Sequence, residues 1–537
     1  MTLTAAHWPA DTTVALVEQS VGDWLLHVAD QYPDRPALRW PVGPGLKTLT
    51  YAGLVAHAGA VAGRLLSLVE PGDRVALWAP NSPDWVIVQC ASALAGTVLV
   101  PINTSLRDEE VRYELAQSGA TLVIAAAEHR GSPLVERAQT LAGELPGPVR
   151  VRPLENLGHT LGRRPGPLPA VPPATPFLIQ YTSGTTGRPK GAVLSHFAAL
   201  NTARIAGRVF AAPLVWCSGL PLHHVGGSVS GVLMTFAAAG TMVLAPGGFD
   251  PARTLRMVER AHVTALGTVP TMLYDLLACP DLARYDISSL QVIQTGGTTV
   301  PPALIRRTEA GLGCRVVISY GQSEAPNATA CLPWDSDVVK AETLGRALPQ
   351  REVRIIAPGT VGTTADLGEP GELLIRSPLN MSGYHDDPEA TSRTLDGEGW
   401  LHTGDLCTMD ATGVLRIHGR IRDVIIRGGE NIYPREVEEV LVEHPGVADA
   451  AVVGAPDERL GEVPVAFIVR ATGDVTGAAD VTGAVDVEEL ATFARSRLAY
   501  FKVPVDWHVV DALPRTASGK VRKFLLRETI TQASPHD

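Results

Sequence analysis

The stretch YTSGTTGRPKGAVLSH, residues 181–196, carries the strongest chemical signal in this sequence. It follows the apolar strand-like run FLIQ (177–180), so a turn rich in glycine and threonine comes directly after a strand. Glycine lets backbone N–H groups approach phosphate oxygens closely, hydroxyl groups add donors, and Lys190 adds a positive charge. The Walker A pattern G-x-x-x-x-G-K-S/T does not align with this stretch. It therefore predicts a phosphate-binding loop of another kind, with an ordinary glycine–threonine turn as the alternative.

Outward from this loop, apolar runs alternate with helical stretches. Strand-like runs occur at RVALWAP (74–80), TVLVPIN (97–103) and TLVIAAA (121–127), and LRDEEVRYELAQSG (106–119) has the pattern of a helix. Such alternation is typical of βαβ units, in which helices cover a parallel sheet. The first 420 or so residues are therefore predicted to belong to the α/β class.

The pattern changes near residue 420. GVLRIHGRIRDVIIRGG (413–429) has the pattern of short antiparallel strands, and YPREVEEVLVEHPGV (433–447) follows as a helix that Pro434 opens. Two further strand-like runs complete the layout of a small α+β domain. Because a domain has about 100–200 residues, a chain of 537 residues allows two to four of them. We expect two domains, residues 1–420 and residues 421–537.

The acidic balance of the chain argues against a broad nucleic-acid surface. Lys plus Arg number 45 and Asp plus Glu number 56, which gives a formal net charge of −11. An anionic ligand must then be held by a local site, because the overall field repels it. The six cysteines are scattered, which argues against a zinc or redox pair and is typical of reduced cytosolic proteins. The first residues lack the pattern of a secretory signal, so we expect a cytoplasmic location.

A long uncharged segment raises the question of a membrane span. No Asp, Glu, Lys or Arg occurs from residue 209 to residue 249, which is long enough to cross a bilayer. Prolines, glycines and polar residues interrupt the segment repeatedly. We therefore predict no integral membrane segment but a buried interior that also lines a pocket.

Five motifs in order resemble those of one family. The string T-S-G-T-T-G-x-P-K-G (182–191) resembles the phosphate loop of the adenylate-forming, AMP-binding enzymes, in their acyl-CoA synthetase branch. It is followed by four further motifs: SYGQSEA (319–325), GWLHTGDL (399–406), GRIRDVIIRGGENIYPREVEEVL (419–441) and PRTASGKVRK (514–523). The resemblance covers nearly the whole chain. It implies a large N-terminal domain of parallel-rich sheets covered by helices, and a small, mobile α+β C-terminal domain.

The resemblance also implies roles for matching residues. Tyr320 is expected to stack on adenine, Ser323 to contact the α-phosphate, and Glu324 to help hold Mg²⁺. The carboxylate of Asp405 is suited to accept both ribose hydroxyls, and Arg420 is expected to make a second ribose contact. The complete predicted nucleotide set is Thr182, Ser183, Gly184, Thr185, Thr186, Gly187, Gly297, Thr298, Tyr320, Gly321, Gln322, Ser323, Asp405 and Arg420. The alternatives are a helix-terminal charge for Glu324 and a turn residue for Asp405.

Lys520 is expected to be the mobile lysine that meets the acyl carboxylate and the α-phosphate. The predicted catalytic residues are Lys190, Ser323, Glu324 and Lys520, and the predicted metal-holding residues are Thr182 and Glu324. Arg422 occupies the hinge, where the family commonly has Asp or Lys, so a solvated surface arginine is the alternative. The residues expected to admit coenzyme A lie beside this hinge: Arg427, Gly428 and Gly429.

An acyl pocket is predicted around LPLHHVGG (220–227), where His224 aligns with the acyl entrance. His223 is either a pocket residue or a core histidine. The predicted lining is His224, Val225, Gly226, Ser228, Val269, Gly296 and Ala325. None of these is Arg or Lys, so a second carboxylate on the acid would be buried without a partner. An apolar monocarboxylic acid, fatty or aromatic, is therefore favoured over a dicarboxylic acid.

The predicted reaction converts ATP, a carboxylic acid and coenzyme A into acyl-CoA, AMP and pyrophosphate, with Mg²⁺ as cofactor and a place in fatty-acid metabolism. The main alternative is a stand-alone aryl or acyl adenylation enzyme that loads the thiol of an acyl-carrier protein. A D-S-L carrier signature after Lys520 would favour that alternative, and none occurs. A nucleotide-binding regulator without catalysis is a third hypothesis, but it would not need Lys520. A monomer or a homodimer is expected.

Overall fold

The structure, a computed structural model, describes residues 2–157, 167–182, 188–245, 247–297, 300–357, 360, 362–471, 486–515 and 520–533. The chain divides into two compact units. The larger consists of Trp8–Val353 and Ile375–His402, and the smaller of Met1–His7, Arg354–Leu374 and Thr403–Asp537. The predicted domain boundary near residue 420 stays a prediction.

Two sheets form the core of the larger unit. Among the described residues, one has seven strands, in the order Gly383–Tyr384, Lys190–Ser195, Pro176–Thr182, Val98–Pro101, Arg74–Trp78, Ala120–Ala125 and Arg150–Pro153. The other has nine, in the order Arg346–Ala347, Thr329–Ala330, Arg315–Tyr320, Val292–Gly296, Ala265–Gly267, Val215–Ser218, Thr241–Leu244, Pro36–Val42 and Gly45–Thr50. The strand Arg74–Trp78 runs parallel to both of its neighbours, as the βαβ prediction requires.

Helices connect and cover these strands. The helices of the larger unit are Val21–Gln31, Tyr51–Leu66, Pro83–Ala95, Asp108–Ser118, Leu134–Gly143, His196–Gly207, Val225–Gly227, Met234–Ala237, Pro251–Ala261, Pro270–Leu277, Pro302–Leu312, Asp337–Glu342 and Pro388–Thr394. Short 3₁₀ turns occur at Leu154–Asn156 and Leu282–Arg284, and a π-helical turn at Ser228–Leu233. Three acidic residues lie in the first turn of Asp108–Ser118, where they complement the helix dipole. The predicted α/β class is confirmed.

The uncharged segment 209–249 folds into buried strands and helical turns. The strands Val215–Ser218 and Thr241–Leu244 pair in parallel, and helical turns from Val225 to Ala237 join them. No helix in the described residues combines the length and the apolar character needed to cross a bilayer.

The smaller unit is rich in antiparallel pairs. Its first sheet, most of whose residues belong to this unit, has the order His7–Trp8, Glu352–Ile356, Gly371–Arg376, Trp400–Met409 and Leu415–Arg420. Its second has the order Glu430–Ile432, Ile425–Arg427, Gly461–Arg470 and Val447–Asp457, and Asp506–Val510 also pairs with Gly461–Arg470. The helices Pro434–Val442, Val487–Arg495 and Lys523–Ala533 and the 3₁₀ turn Ile421–Asp423 complete the unit. The predicted short strands and the helix opened by Pro434 are confirmed.

Glu114 is a buried acid in the helix Asp108–Ser118. Its side chain is 4% exposed, and burial, together with the charge of Glu110, raises its pKa to about 8. The folded protein therefore holds Glu114 protonated at neutral pH, whereas the unfolded chain ionises it near pH 4.5. The stability that the protonated group contributes is complete below pH 4.5 and is lost as the pH rises to about 8.

Glu114→Gln should stabilise the protein at alkaline pH, because the amide resembles the protonated acid. The difference in free energy of unfolding between Glu114→Gln and the wild type should grow in favour of the variant by roughly 1–3 kcal/mol from pH 4.5 to pH 8.5. Urea unfolding curves at both pH values measure this difference, and Glu109→Gln, at an exposed position of the same helix, is the matched control. A difference between Glu114→Gln and wild type that does not change with pH would contradict the prediction.

Candidate functional site

Two antiparallel strands hold the ends of the predicted phosphate loop. Thr182, the last residue of Pro176–Thr182, pairs with Lys190, the first residue of Lys190–Ser195. The hydroxyl of Thr182 also donates to the carbonyl of Lys190 over 3.4 Å. The five predicted loop residues, Ser183, Gly184, Thr185, Thr186 and Gly187, lie outside the described residues. The structure therefore places Thr182 and Lys190 side by side at the base of the loop.

The helix Asp108–Ser118 supports both ends of this loop. The hydroxyl of Tyr113 donates to the carbonyl of Pro189 over 3.0 Å, on the side where the chain leaves the loop. On the entering side, the hydroxyl of Tyr181 bonds to the carbonyl of Glu114 over 3.2 Å and to the side chain of Gln117. These bonds fix the backbone positions from which the loop begins and ends.

The loop after the strand Arg315–Tyr320 carries the predicted adenine and metal residues. Tyr320 is half-buried, and the side-chain amide of Gln322 donates to its hydroxyl over 3.4 Å. Gly321 has no room for a side chain, because a Cβ there would lie 2.5 Å from the backbone nitrogen of Asn327. Ser323 and Glu324 follow and are buried, with Glu324 9% exposed. The loop thus holds a carboxylate at the edge of the interior.

Tyr384 connects Lys190 with Glu324. Its hydroxyl donates to Oε1 of Glu324 over 2.6 Å, and the ammonium of Lys190 lies 5.0 Å from the centre of its ring. The backbone of Tyr384 pairs with Ala192, two residues after Lys190. Two predicted catalytic residues, distant in sequence, are therefore brought together by one aromatic side chain.

Arg351 is a fully buried cation that contacts the loop carrying Glu324. Its guanidinium donates to Thr202 Oγ1 and Pro326 O over 2.9 and 2.8 Å, and to Ser377 Oγ and Asn380 Oδ1 over 3.0 and 3.3 Å. Burial lowers its pKa to about 9, so it remains charged at neutral pH. All four of these acceptors are uncharged, and they use four of the five N–H groups of arginine.

The predicted acyl-pocket residues lie around the helical turns that follow His224. Nδ1 of His224 accepts the N–H of Gly226 over 3.1 Å, and the buried hydroxyl of Ser228 donates to the carbonyl of His224. Ser230, in the π-helical turn, donates to the side chain of Asn327, two residues after the buried Ala325. π-helical turns are frequent at functional sites.

Three other predicted residues flank this region. Gly296 pairs in register with Ser319, immediately before Tyr320. Gly297 is exposed with a positive φ of 79°, and Val269 precedes the helix Pro270–Leu277. Thr298 lies outside the described residues.

His223 is a half-buried histidine. Burial, with smaller contributions from His224 and His129, lowers its pKa to about 3, so its imidazole is neutral. The side-chain amide of Gln180 donates to its backbone carbonyl over 3.0 Å. A neutral imidazole is compatible with both a pocket residue and a core histidine, so the two alternatives for His223 stay open.

The remaining predicted residues belong to the smaller unit. Asp405 is 2% exposed, and its Oδ1 lies 2.8 Å from Nε of Arg420, which is its partner across the strand pair. Nη1 of Arg420 also donates to the carbonyl of Thr403 over 2.9 Å. The two predicted ribose contacts are therefore adjacent, and Arg420 fixes the orientation of the Asp405 carboxylate.

The predicted hinge and coenzyme A residues form a turn and a tight hairpin. Arg422 lies in the 3₁₀ turn Ile421–Asp423. Gly428 and Gly429 join the strands Ile425–Arg427 and Glu430–Ile432 with φ values of 59° and 90°, the backbone of a type I′ turn, which glycine adopts without strain.

Arg427 is held at the base of this hairpin. It donates to the carbonyl of Phe501 over 2.7 Å. It also lines an open cavity of about 450 Å³ within the smaller unit, together with Arg495, Tyr500 and Trp507.

Lys520 is exposed at the end of a loop that the Arg515–Val521 bridge closes. Residues 516–519 lie outside the described part of the chain. The next lysine, Lys523, pairs with Glu438 over 2.6 Å. The role predicted for Lys520 stays a prediction.

The described residues contain no cluster of three or more His, Cys, Asp or Glu side chains that could hold a metal ion by themselves. Mg²⁺ commonly binds through one or two carboxylates plus the phosphates of its nucleotide. The carboxylate of Glu324 lies next to the phosphate-loop strands, so it fits a Mg²⁺ site that is completed by the phosphates of the nucleotide.

Sequence reasoning missed Tyr384, Tyr113, Gln117 and Arg351. Tyr384 stands in MSGYHDD (381–387), where a glycine–tyrosine pair gives no indication of its partners. Tyr113 and Gln117 lie in the predicted helix, but their contacts depend on tertiary packing. No local pattern marks Arg351 as buried.

Comparison with known proteins agrees with this geometry. The family model described as AMP-binding enzyme matches residues 25–385, and the model of the AMP-binding enzyme C-terminal domain matches residues 436–520. The chain is similar to the putative acyl-CoA synthetase YngI of Bacillus subtilis, with 35% identity over 96% of this chain and 97% of that protein. It is also 34% identical to the mitochondrial medium-chain acyl-CoA ligase ACSF2 of Mus musculus, over 96% of this chain and 88% of that protein.

Among solved structures, ATP-bound MatB from Rhodopseudomonas palustris superposes with a TM-score of 0.86 and 28% identity, over 96% of this chain and all of that chain. The fold, the order of the motifs and these relatives agree. The chain belongs to the AMP-binding enzyme family, and within it to the acid–thiol ligases that include the acyl-CoA synthetases.

Proposed function

We propose that this enzyme activates an apolar monocarboxylic acid in two half-reactions. In the first, a carboxylate oxygen attacks the α-phosphorus of ATP, the bond to the β-phosphate oxygen breaks, and pyrophosphate leaves. In the second, the thiolate of coenzyme A attacks the carbonyl carbon of the acyl-AMP and AMP leaves with the electron pair of the broken C–O bond. The observation that carries the proposal is the placement of Lys190 and Glu324 around Tyr384, beside the strands of the phosphate loop.

The chemistry of the first step explains why these side chains are needed. A carboxylate is a poor acyl donor because its oxide is a poor leaving group, and acyl-AMP has a far better one. The barrier is the approach of one anion to another, which fixed positive charge lowers in a water-poor site. Lys190 and Lys520 supply such charge, and Mg²⁺ held by Glu324 and the nucleotide would neutralise the phosphate oxygens further. Asp405, oriented by Arg420, is proposed to hold the ribose.

The preference for a monocarboxylate rests on the charges near the pocket. Arg351, which binds the carbonyl of Pro326 next to Ala325, is a buried cation, and uncharged groups accept four of its five N–H bonds. A second carboxylate on the acid would therefore have to displace these bonds or remain unpaired. The name of the medium-chain relative supports an aliphatic acid, and an acyl-carrier protein remains the alternative acceptor. Cytoplasmic location stays a prediction.

We expect the complete reaction to require ATP with Mg²⁺ and to yield AMP and pyrophosphate. Omission of the acid should abolish pyrophosphate release, and omission of coenzyme A should leave acyl-AMP bound without acyl-CoA. Products separated by anion-exchange chromatography give the answer directly. Formation of ADP and an acyl-phosphate would refute the proposal, and acyl transfer to a carrier-protein thiol but not to coenzyme A would favour the alternative.

Monocarboxylic acids should exceed malonate and succinate in kcat/KM by at least ten-fold. An uncompensated buried charge costs more than the ~1.4 kcal/mol that corresponds to a factor of ten. A panel of aliphatic and aromatic acids, assayed for pyrophosphate release beside the two dicarboxylates, measures the ratio. Equal turnover of a short dicarboxylate would show that the pocket contains a cation that we have not identified.

Lys520→Ala should slow adenylation by ~10²–10³-fold, by analogy with the loss of an oxyanion donor, because its charge would act while two anions are forced together. Formation of thioester from chemically made acyl-AMP and coenzyme A should change far less, since that encounter is over. Both rates are measured for Lys520→Ala and for Lys523→Ala, whose lysine pairs with Glu438. An equal fall in both half-reactions of Lys520→Ala, or no fall in either, would exclude the assigned role.

A further inference from the structure

Tyr384 contacts both charged groups of the phosphate site and has no role in the reaction proposed above. We propose that Tyr384 is a positioning residue, whose hydroxyl orients the Glu324 carboxylate and whose ring locates the Lys190 ammonium, so that both reach the triphosphate of one ATP. This inference rests on the proposed function. It concerns how ATP and its metal are bound.

The hydrogen bond to Glu324 has a defined direction. A carboxylate only accepts, so the phenol of Tyr384 is the donor, and its 2.6 Å length is typical of a charge-assisted O–H···O⁻ bond. Burial, followed by the charge and hydrogen bond of Glu324, raises the pKa of Tyr384 above its ordinary value, so the phenol keeps its proton at neutral pH. The bond engages Oε1, and among the described residues no side-chain hydrogen bond engages the other carboxylate oxygen.

The ring keeps two opposite charges apart. The ammonium of Lys190 lies 5.0 Å from the ring centre, within the range of a cation–π contact. Among the ion pairs of the described residues, none joins Lys190 to Glu324. A direct pair would occupy both groups before ATP arrives, and breaking it would reduce the affinity for ATP. Tyr384 gives Lys190 and Glu324 each a neutral partner in place of the opposite charge.

The backbone fixes Tyr384 to both sides of the site. Tyr384 pairs with Ala192 on the strand that begins at Lys190, and the N–H of His385 donates to the carbonyl of Gly191 over 2.8 Å. On the other side, the N–H of Met381 donates to the carbonyl of Glu324 over 2.7 Å. The segment 381–385 is therefore attached to the Lys190 strand and to the Glu324 loop at once.

Two further contacts, with Arg351 and with Thr391, hold the same segment. Asn380 accepts from the buried Arg351, and Arg351 also binds the carbonyl of Pro326, two residues after Glu324. The N–H of Tyr384 donates to Thr391 over 2.9 Å. Tyr384 therefore has little freedom to follow a displaced partner, which is what a positioning role requires.

Calorimetric titration of ATP into the full-length protein, with Mg²⁺ and separately with EDTA, tests the proposal. Tyr384→Phe keeps the ring and removes the hydroxyl. We expect it to reduce the affinity for ATP about ten-fold in Mg²⁺ and by less than two-fold in EDTA. The matched control is Tyr51→Phe, which removes another buried hydroxyl, bonded to the carbonyl of Gly240 over 2.6 Å, on the helix Tyr51–Leu66 of the same unit. Tyr51→Phe should lower the melting temperature and leave both affinities unchanged.

Two further variants separate the hydroxyl from the ring. Glu324→Gln should remove the Mg²⁺-dependent gain in affinity, and adding Tyr384→Phe to it should have no further effect, because the two act as a unit. Tyr384→Leu should also weaken metal-free ATP binding at least three-fold, since Lys190 loses its ring contact. The proposal is overturned if Tyr384→Phe behaves like Tyr51→Phe, or if its effect adds fully to that of Glu324→Gln. If the wild type binds ATP as expected but forms no AMP, the proposed function fails while the role of Tyr384 stands.

Discussion

The antiparallel pairing of Thr182 with Lys190 is the constraint on which the candidate site depends. It brings together the two ends of the loop that the sequence assigns to phosphate and places the Lys190 ammonium at the start of a strand. That strand has Pro176–Thr182 on one side and Gly383–Tyr384 on the other, so its position also determines that of Tyr384. A shift of one residue in this register would turn Lys190 to the opposite face of the sheet. The register therefore has a chemical consequence as well as a structural one.

The helix Asp108–Ser118 stabilises that register through polar contacts. Tyr113 and Gln117 are bonded, directly or through Tyr181, to chain segments at the two ends of the loop. Gln117 also donates to the carbonyl of His385 over 2.6 Å, so this helix contacts the segment that carries Tyr384. Protonated Glu114 lies among these groups, since an ionised carboxylate would be expensive to bury there. The arrangement retains a residue that reduces stability at neutral pH, next to an element that positions the site.

The parts of the molecule that sequence could predict are those in which the signal is local. The strand before the phosphate loop and the helix opened by Pro434 depend on neighbouring residues, and both lie where the sequence pattern placed them. Tyr384 was not predicted, because its bond joins it to Glu324, 60 residues away in the sequence, and depends on tertiary packing. Glu114 is an intermediate case. It lies three residues after Val111 and one before Leu115, on the buried side of the helix, but its burial was not predicted.

Charge near the site matters more than the charge of the whole chain. A net charge of −11 repels ATP at a distance, but salt screens exposed charges beyond about 8 Å at physiological ionic strength. A buried cation is screened much less, and Arg351 is such a cation, bonded to Pro326 and Asn380 on either side of the Glu324 loop. Because its partners are uncharged, no carboxylate in this set of bonds cancels its field. Arg351 therefore ties the backbone after Glu324 to the segment before Tyr384, and it does so without competing with ATP or with the metal for the Glu324 carboxylate.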